Sequence, residues 1–255
     1  MKRYVALGAV VAALGAGAAL SQKAAAGGAA AAQDQGGLSM SPSLIVHDAQ
    51  PGPLATVTVA NRSAGPLTVT VTPRPWTQAA NGRVSPNRRG KLPGVSVDKS
   101  TFTLAAGATQ DVTATLGAAP SAGYLYGALE VIGVPTDVAK RKGVVLGYRL
   151  VGAVRIPPAK PTYGLKLNNP KTAGGTAVIP VKNTGNTLDA VSGSVRVKGA
   201  SGTKNLAIAA VRILPGKTVN LPAGTKLSRG AYTATVTLNQ RGKKALSATK
   251  KFKVK

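Results

Sequence analysis

The chain has 255 residues, no cysteine, one histidine, and 33 Lys plus Arg against seven Asp plus Glu, a net charge of +26. That inventory excludes disulfide staples and thiolate metal sites. It also leaves too few histidines and carboxylates for a converging metal centre or an acid–base pair, so no cofactor is expected and anionic partners are favoured.

Lys2 and Arg3 form a short positive start, and Tyr4 to Leu20 is an uncharged, mostly apolar run. The small-residue tract that follows offers Ala24–Ala26 or Ala30–Ala32 for cleavage, so residues 1–32 read as a signal peptide and small-residue tract. The apolar run is short and broken by glycine, which argues against a bilayer span, and no integral span is expected after signal cleavage. "QDQGG" (33–37) is a polar lead-in. From Leu38 onward short strands recur between turn signals. "ATVTVA" (55–60) and "LTVTVTP" (67–73) alternate apolar residues with Thr at period two, as half-buried strands do. "TFTLAAGATQDVTATL" (101–116) reads as two strands about a glycine turn. "GYLYGALEVIGV" (123–134) and "GVVLGYRLVGAVRI" (143–156) read as two longer strands joined by "PTDVAKRK". "PPAKPTYG" (157–164) is proline-rich and reads as a linker, after which strands restart at "LKLNN" and run to "TKKFKVK". No helical stripe interrupts the series.

The two halves share an order. Asn61 follows "TVTV" and Asn183 follows "VIPV", each before small turn residues and another β-rich run. Asn tolerates the left-handed backbone and can hydrogen-bond its own turn. "LAAGATQDV" precedes "GYLYG" in the first half as "LPGKTVNL" precedes "GAYTATV" in the second. Tyr124 and Tyr232 sit where a tyrosine corner is expected. The predicted fold is all-β: two tandem immunoglobulin-like β-sandwich domains, at 38–156 and 164–255, joined by a Pro-rich linker at 157–163.

"LSMSPSLIVHDAQPGPLATVTVANRS" and "VSVDKSTFTLAAGATQDVTATLGAAPSAGYLYGALEVIG" resemble the N-terminal domain of the periplasmic pilus-chaperone (PapD-like) superfamily, and more closely that of the Gram-positive WxL-interacting surface proteins. The residues that carry the likeness are Ser41-Pro42, Pro51-Gly52, Val59-Ala60-Asn61, and Pro120 with Gly123 and Gly127. Where that family has a second glycine, Ala128 follows Gly127 here. The resemblance implies a second immunoglobulin-like domain. It also implies, for pilus chaperones, an Arg and a Lys that grip a subunit's terminal carboxylate. Here the comparable strand residues are Arg149 and Arg155.

Catalysis finds no foothold. His47-Asp48 is the single His beside an acid, and neighbours on a strand point to opposite faces. "SGTK" (201–204) matches a nucleophile motif but lies between predicted strands, not at the start of a helix. Binding has two candidates. The segment 73–94 reads as the longest irregular stretch, carrying Trp76 with Arg74, Arg83, Arg88, Arg89 and Lys91. The tip "DVAKRKGV" (137–144) carries Lys140, Arg141 and Lys142. Between Lys160 and Lys255, 18 basic residues face one acid, Asp189. The leading reading is a secreted, non-catalytic cell-envelope protein that holds an anionic wall polymer or peptidoglycan through these loops. The alternative is a chaperone-like protein that donates the strand "VVLGYRLVGAVRI" (144–156) to a surface or pilus protein. Nucleic acid ranks below both, because the basic residues are spread and aromatics are few.

Overall fold

The structure, a computed structural model, describes residues 37–140, 142–173 and 176–254; the predicted signal segment lies outside them. Strands β1 to β18, numbered in chain order, build four sheets among these residues, and the one helical turn is the short 3-10 segment Val138–Lys140.

In the first sandwich one sheet has the order β1 (Leu38–Ser41), β3 (Gly52–Asn61), β8 (Thr109–Leu116), β6 (Val95–Val97). The facing sheet has the order β2 (Leu44–Val46), β10 (Tyr148–Ile156), β9 (Leu125–Pro135), β4 (Leu67–Gln78), β5 (Val84–Pro86), with β7 (Thr101–Leu104) also paired to β4. The period-two pattern does what it predicts. Val57, Val59, Val69, Val71, Val112 and Val131 are all buried between the sheets, while Thr56 and Thr58 face outward on β3. The chain changes sheets near its start: β1 pairs antiparallel with β3, and after Pro42 the chain joins β10 as the parallel strand β2. A proline cannot donate to a ladder, so it marks where the first pairing stops.

The second sandwich packs the sheet β11 (Leu165–Leu167), β13 (Thr176–Asn183), β12 (Lys171–Ala173), with β16 (Thr218–Lys226) also on β13, against the sheet β15 (Gly202–Arg212), β14 (Ala190–Gly199), β17 (Gly230–Gln240), β18 (Lys243–Val254). Its core holds Ile179, Val181, Val195, Ile213, Val236 and Leu238, each at most 1% exposed.

Asn61 and Asn183 do the same job in both sandwiches. The Asn61 side-chain nitrogen donates to the carbonyls of Gly65, Leu104 and Ala105 at 2.8–3.1 Å, and its oxygen accepts from Ser63 N. Asn183 donates to Thr187 O at 2.8 Å and Ile213 O at 2.7 Å and accepts from Gly185 N. Each closes its own turn while satisfying a buried carbonyl of a distant segment, which explains why an amide stands there. The tyrosine expectation holds for one of the pair. Tyr232 donates to Ser228 O at 3.0 Å, with Gly199 leaving room for its ring. Tyr124 instead packs against Tyr126 with the rings tilted by 36° and their centres 5.5 Å apart.

Two expectations change. The stretch 73–94 is not one irregular loop: β4 runs on to Gln78 and turns back through β5. Pro73 and Pro75 stay in the strand because their carbonyls are used, by Leu92 N and Asn87 N respectively, while their missing N–H groups leave no donor unmet. The strand expected from Gly143 begins at Tyr148, with Gly143 at φ +86°, a left-handed backbone that interrupts extension. The two strands about Gly107 form as expected, and β7 joins β4 while β8 joins β3, so they lie in opposite sheets.

Candidate functional site

Strand β4, the loop after β5 and strand β10 place three guanidinium groups on one buried carboxylate. Glu130, on the central strand β9, is 1% exposed. Arg149 Nε donates to its Oε1 at 2.6 Å, Arg88 Nε to the same oxygen at 3.0 Å, and Arg74 Nε to Oε2 at 3.3 Å. Arg74 also donates to the carbonyls of Arg88 and Gly90, fixing the loop to the strand. Burial pushes the Glu130 carboxyl up, but hydrogen bonds and charge from Arg149 and Arg88 outweigh it and hold the group below its ordinary value. The cluster is therefore an ion network with two positive charges in excess. The side chains of Arg88 and Arg149 remain 58% and 40% exposed.

The tip of the same hairpin meets the second sandwich. Gln78 Nε2 donates to Arg212 O at 2.7 Å, and Gln78 Oε1 accepts from Leu214 N at 2.8 Å. Asn220 N donates to Ala80 O. Tyr126 OH donates to Asn186 O at 3.2 Å, and Asn186 bonds Thr162 N and Lys160 O of the linker. Burial, reinforced by the Asp189 charge, raises the Tyr126 phenol above its ordinary value, so it stays a neutral donor.

A groove of about 290 Å³ lies beside these contacts, bordered by Val46, Tyr126, Arg155, Asp189, Arg212 and Arg241. Strand β10 leads into it. On one side β10 pairs with β9 along its whole length, while on the other β2 covers only Ala153 to Arg155. The other edge of Tyr148 to Gly152 has no ladder partner among the described residues. Ahead of it, Val144 is 95% exposed and Leu146 73% exposed, continuing the period of Tyr148 and Leu150.

The residues named from sequence thus divide. Arg88 and Arg149 are brought together, on Glu130. Arg155 lies apart from them, in the groove. Trp76 is half-buried on β4 opposite Pro86, whereas Arg83, Arg89 and Lys91 are exposed around the hairpin. Lys140 and Lys142 are exposed at the β9–β10 connection, and Arg141 lies outside the described residues. Sequence reasoning missed Glu130, Val144, Leu146, Arg212 and Arg241. A lone acid inside the apolar run "GALEVIG" is a signal that could have been read, because a buried carboxylate demands cations.

No group of three or more His, Cys, Asp or Glu converges as a metal site among the described residues, and none of their helices is long and apolar enough to cross a membrane. No protein-family model and no curated protein matches the sequence. Solved structures do match. A chain from a chaperone–tip adhesin complex of CFA/I fimbriae superposes with a TM-score of 0.52 at 15% identity, covering 84% of this chain and 99% of that one. The class 5 fimbrial chaperone CfaA gives 0.50 at 16% identity, covering 84% and 98%. The fold is therefore a pair of immunoglobulin-type sandwiches like that of these solved fimbrial structures.

Proposed function

We propose that this chain is a non-catalytic, extracytoplasmic chaperone-like protein that offers the free edge of β10 to an extended segment of a surface or pilus protein. The observation that carries the reading is the half-paired β10 preceded by exposed Val144 and Leu146. An unpaired strand edge supplies main-chain hydrogen bonds, and alternate apolar side chains supply selectivity. Where β2 ends the free edge, Val46 and Arg155 border the groove with Arg212 and Arg241. Three guanidinium groups against the single acid Asp189 suit a carboxylate at the client's terminus. The similarity to the chaperone CfaA and to a chain of a chaperone–tip adhesin complex fits this reading, as does the predicted signal segment. The nearer likeness to WxL-interacting surface proteins rests on the short motifs alone.

This reading ranks above the wall polymer because the similar solved structures are fimbrial chaperones; Arg74, Arg88 and Arg149 bond Glu130, while Arg83, Arg89 and Lys91 stay exposed. A photo-crosslinker in place of the exposed Lys142 of the full chain, expressed with its native envelope proteins, tests it. One partner should be trapped, should survive a high-salt wash, and should be lost in Val144→Asp/Leu146→Asp. Capture that washes off in salt and persists in that variant would mean that charge, not strand pairing, holds the partner.

A further inference from the structure

Strands β17 and β18 are joined by a tight turn, with Arg241 and Gly242 between the paired residues Gln240 and Lys243. Arg241 has φ +52° and Gly242 +74°, the left-handed pair whose twist suits a two-residue hairpin. Asparagine or glycine fills the first of these positions at little cost, whereas an arginine there is strained. Arg241 is the one non-glycine residue with a left-handed backbone among the described residues. Its Nη1 donates to Tyr163 OH at 2.9 Å, which holds the guanidinium beside the Pro-rich linker. A cavity of about 550 Å³ opens next to the turn, bordered by Tyr163, Gln240, Arg241, Lys243, Lys244 and Ala245.

Gln240 is 4% exposed, and its Oε1 is the one buried side-chain nitrogen or oxygen without a hydrogen-bond partner among the described residues. The other arm of the same amide faces Thr187 Oγ1 at 3.3 Å and Asp189 O at 3.5 Å. Thr187 and Asp189 border the groove at the end of β10, not this cavity. Oε1 is therefore directed away from the groove, to the cavity side of the wall. Lys243 and Lys244 are what a basic chain puts on any turn. A strained arginine beside an orphaned core oxygen is not, because each lowers stability and a single substitution would remove it. Together they call for a ligand with an anion to fork onto the guanidinium and a hydrogen-bond donor close to that anion. A hydroxyl supplies the donor, and the last torsion of a glutamine is soft enough to turn its oxygen to meet it. Three cations around one turn suit a doubly charged phosphate better than a single carboxylate. The cavity has the volume of a small-molecule site.

We infer that this cavity binds a small sugar phosphate, its phosphate on Arg241 with Lys243 and Lys244 and a sugar hydroxyl donating to Gln240 Oε1. The site does not rest on the β10 edge. It shares Arg241 with the groove, so binding is read by calorimetry on the full chain with no client present. The probes are glucose 6-phosphate, inorganic phosphate and glucose. The wild-type chain should bind glucose 6-phosphate about fivefold more tightly than inorganic phosphate, the worth of one good hydrogen bond, and glucose not measurably. Gln240→Leu should bring the two phosphates within about twofold of each other. Arg241→Asn should weaken both roughly tenfold while raising the melting temperature by about 2–4 °C, because asparagine is at home in that backbone. Lys250→Gln/Lys251→Gln removes two charges roughly 20 Å along β18 and should change affinity by less than about twofold. Glucose 6-phosphate binding no tighter than inorganic phosphate, a preference that survives Gln240→Leu, or equal losses from Arg241→Asn and the lysine pair would each overturn the inference. The first comparison needs no variant, so it decides even where Gln240→Leu folds poorly.

Discussion

Asn183 is where residue type is most tightly tied to structure. Its side-chain nitrogen faces two carbonyl oxygens at 2.8 and 2.7 Å inside the core. Asn183→Ala leaves both without that donor and should cost about 2–3 kcal/mol. Asn183→Asp should cost more, since it turns a carboxylate oxygen toward those carbonyls where water cannot help. Urea denaturation of wild type and the two variants measures the order; an Ala variant as stable as wild type would show that the amide donor is unimportant, and an Asp variant as stable as the Ala one that the opposed oxygens cost nothing further. Trp76 is a milder case. Half-buried on β4, it should cost about 2 kcal/mol as Trp76→Ala, below the range for a fully enclosed ring. A melting temperature that does not move would make its role contact alone.

At the scale of elements, Glu130 joins β4, β9, β10 and the loop after β5 through its three arginines. Its folded pKa lies below the ordinary value of 4.5. The stabilisation it contributes is therefore complete above about pH 4.5 and lost as pH falls through the folded value. Glu130→Gln should lower stability at pH 7 by about 2–3 kcal/mol, near the low end for a broken buried pair because the arginine heads reach water. The difference between wild type and variant should shrink as pH drops below about 4.5. Thermal melts across pH read this directly, and a constant difference would remove the carboxylate's ionisation from the account.

The whole molecule depends on contacts that join its sandwiches. Gln78 bonds both Arg212 O and Leu214 N, so a single side chain of the β4–β5 hairpin ties one sandwich to the other. Gln78→Ala should leave each core intact yet loosen the pair. A larger radius of gyration by small-angle scattering is expected, and one calorimetric transition should separate into two. An unchanged scattering curve would assign the coupling to the linker, through Asn186 and Tyr126, instead.

Alternation at period two, glycine and proline at the turns and the repeated asparagine were enough to read an all-β chain of two sandwiches, because those features act locally along the backbone. The zero cysteine count and the charge followed from composition alone. Which side chains meet was decided elsewhere. Arg74, Arg88 and Arg149 come from three separate segments, and only the pairing of β4, β9 and β10 brings them to Glu130. Pro73 and Pro75 suggested a loop, yet neighbouring segments made use of their carbonyls and kept the strand going. The free edge of β10 depends on how short β2 is in the ladder. Pairing partners and register are set by contacts distant in sequence, so they become visible only once the sheets are assembled.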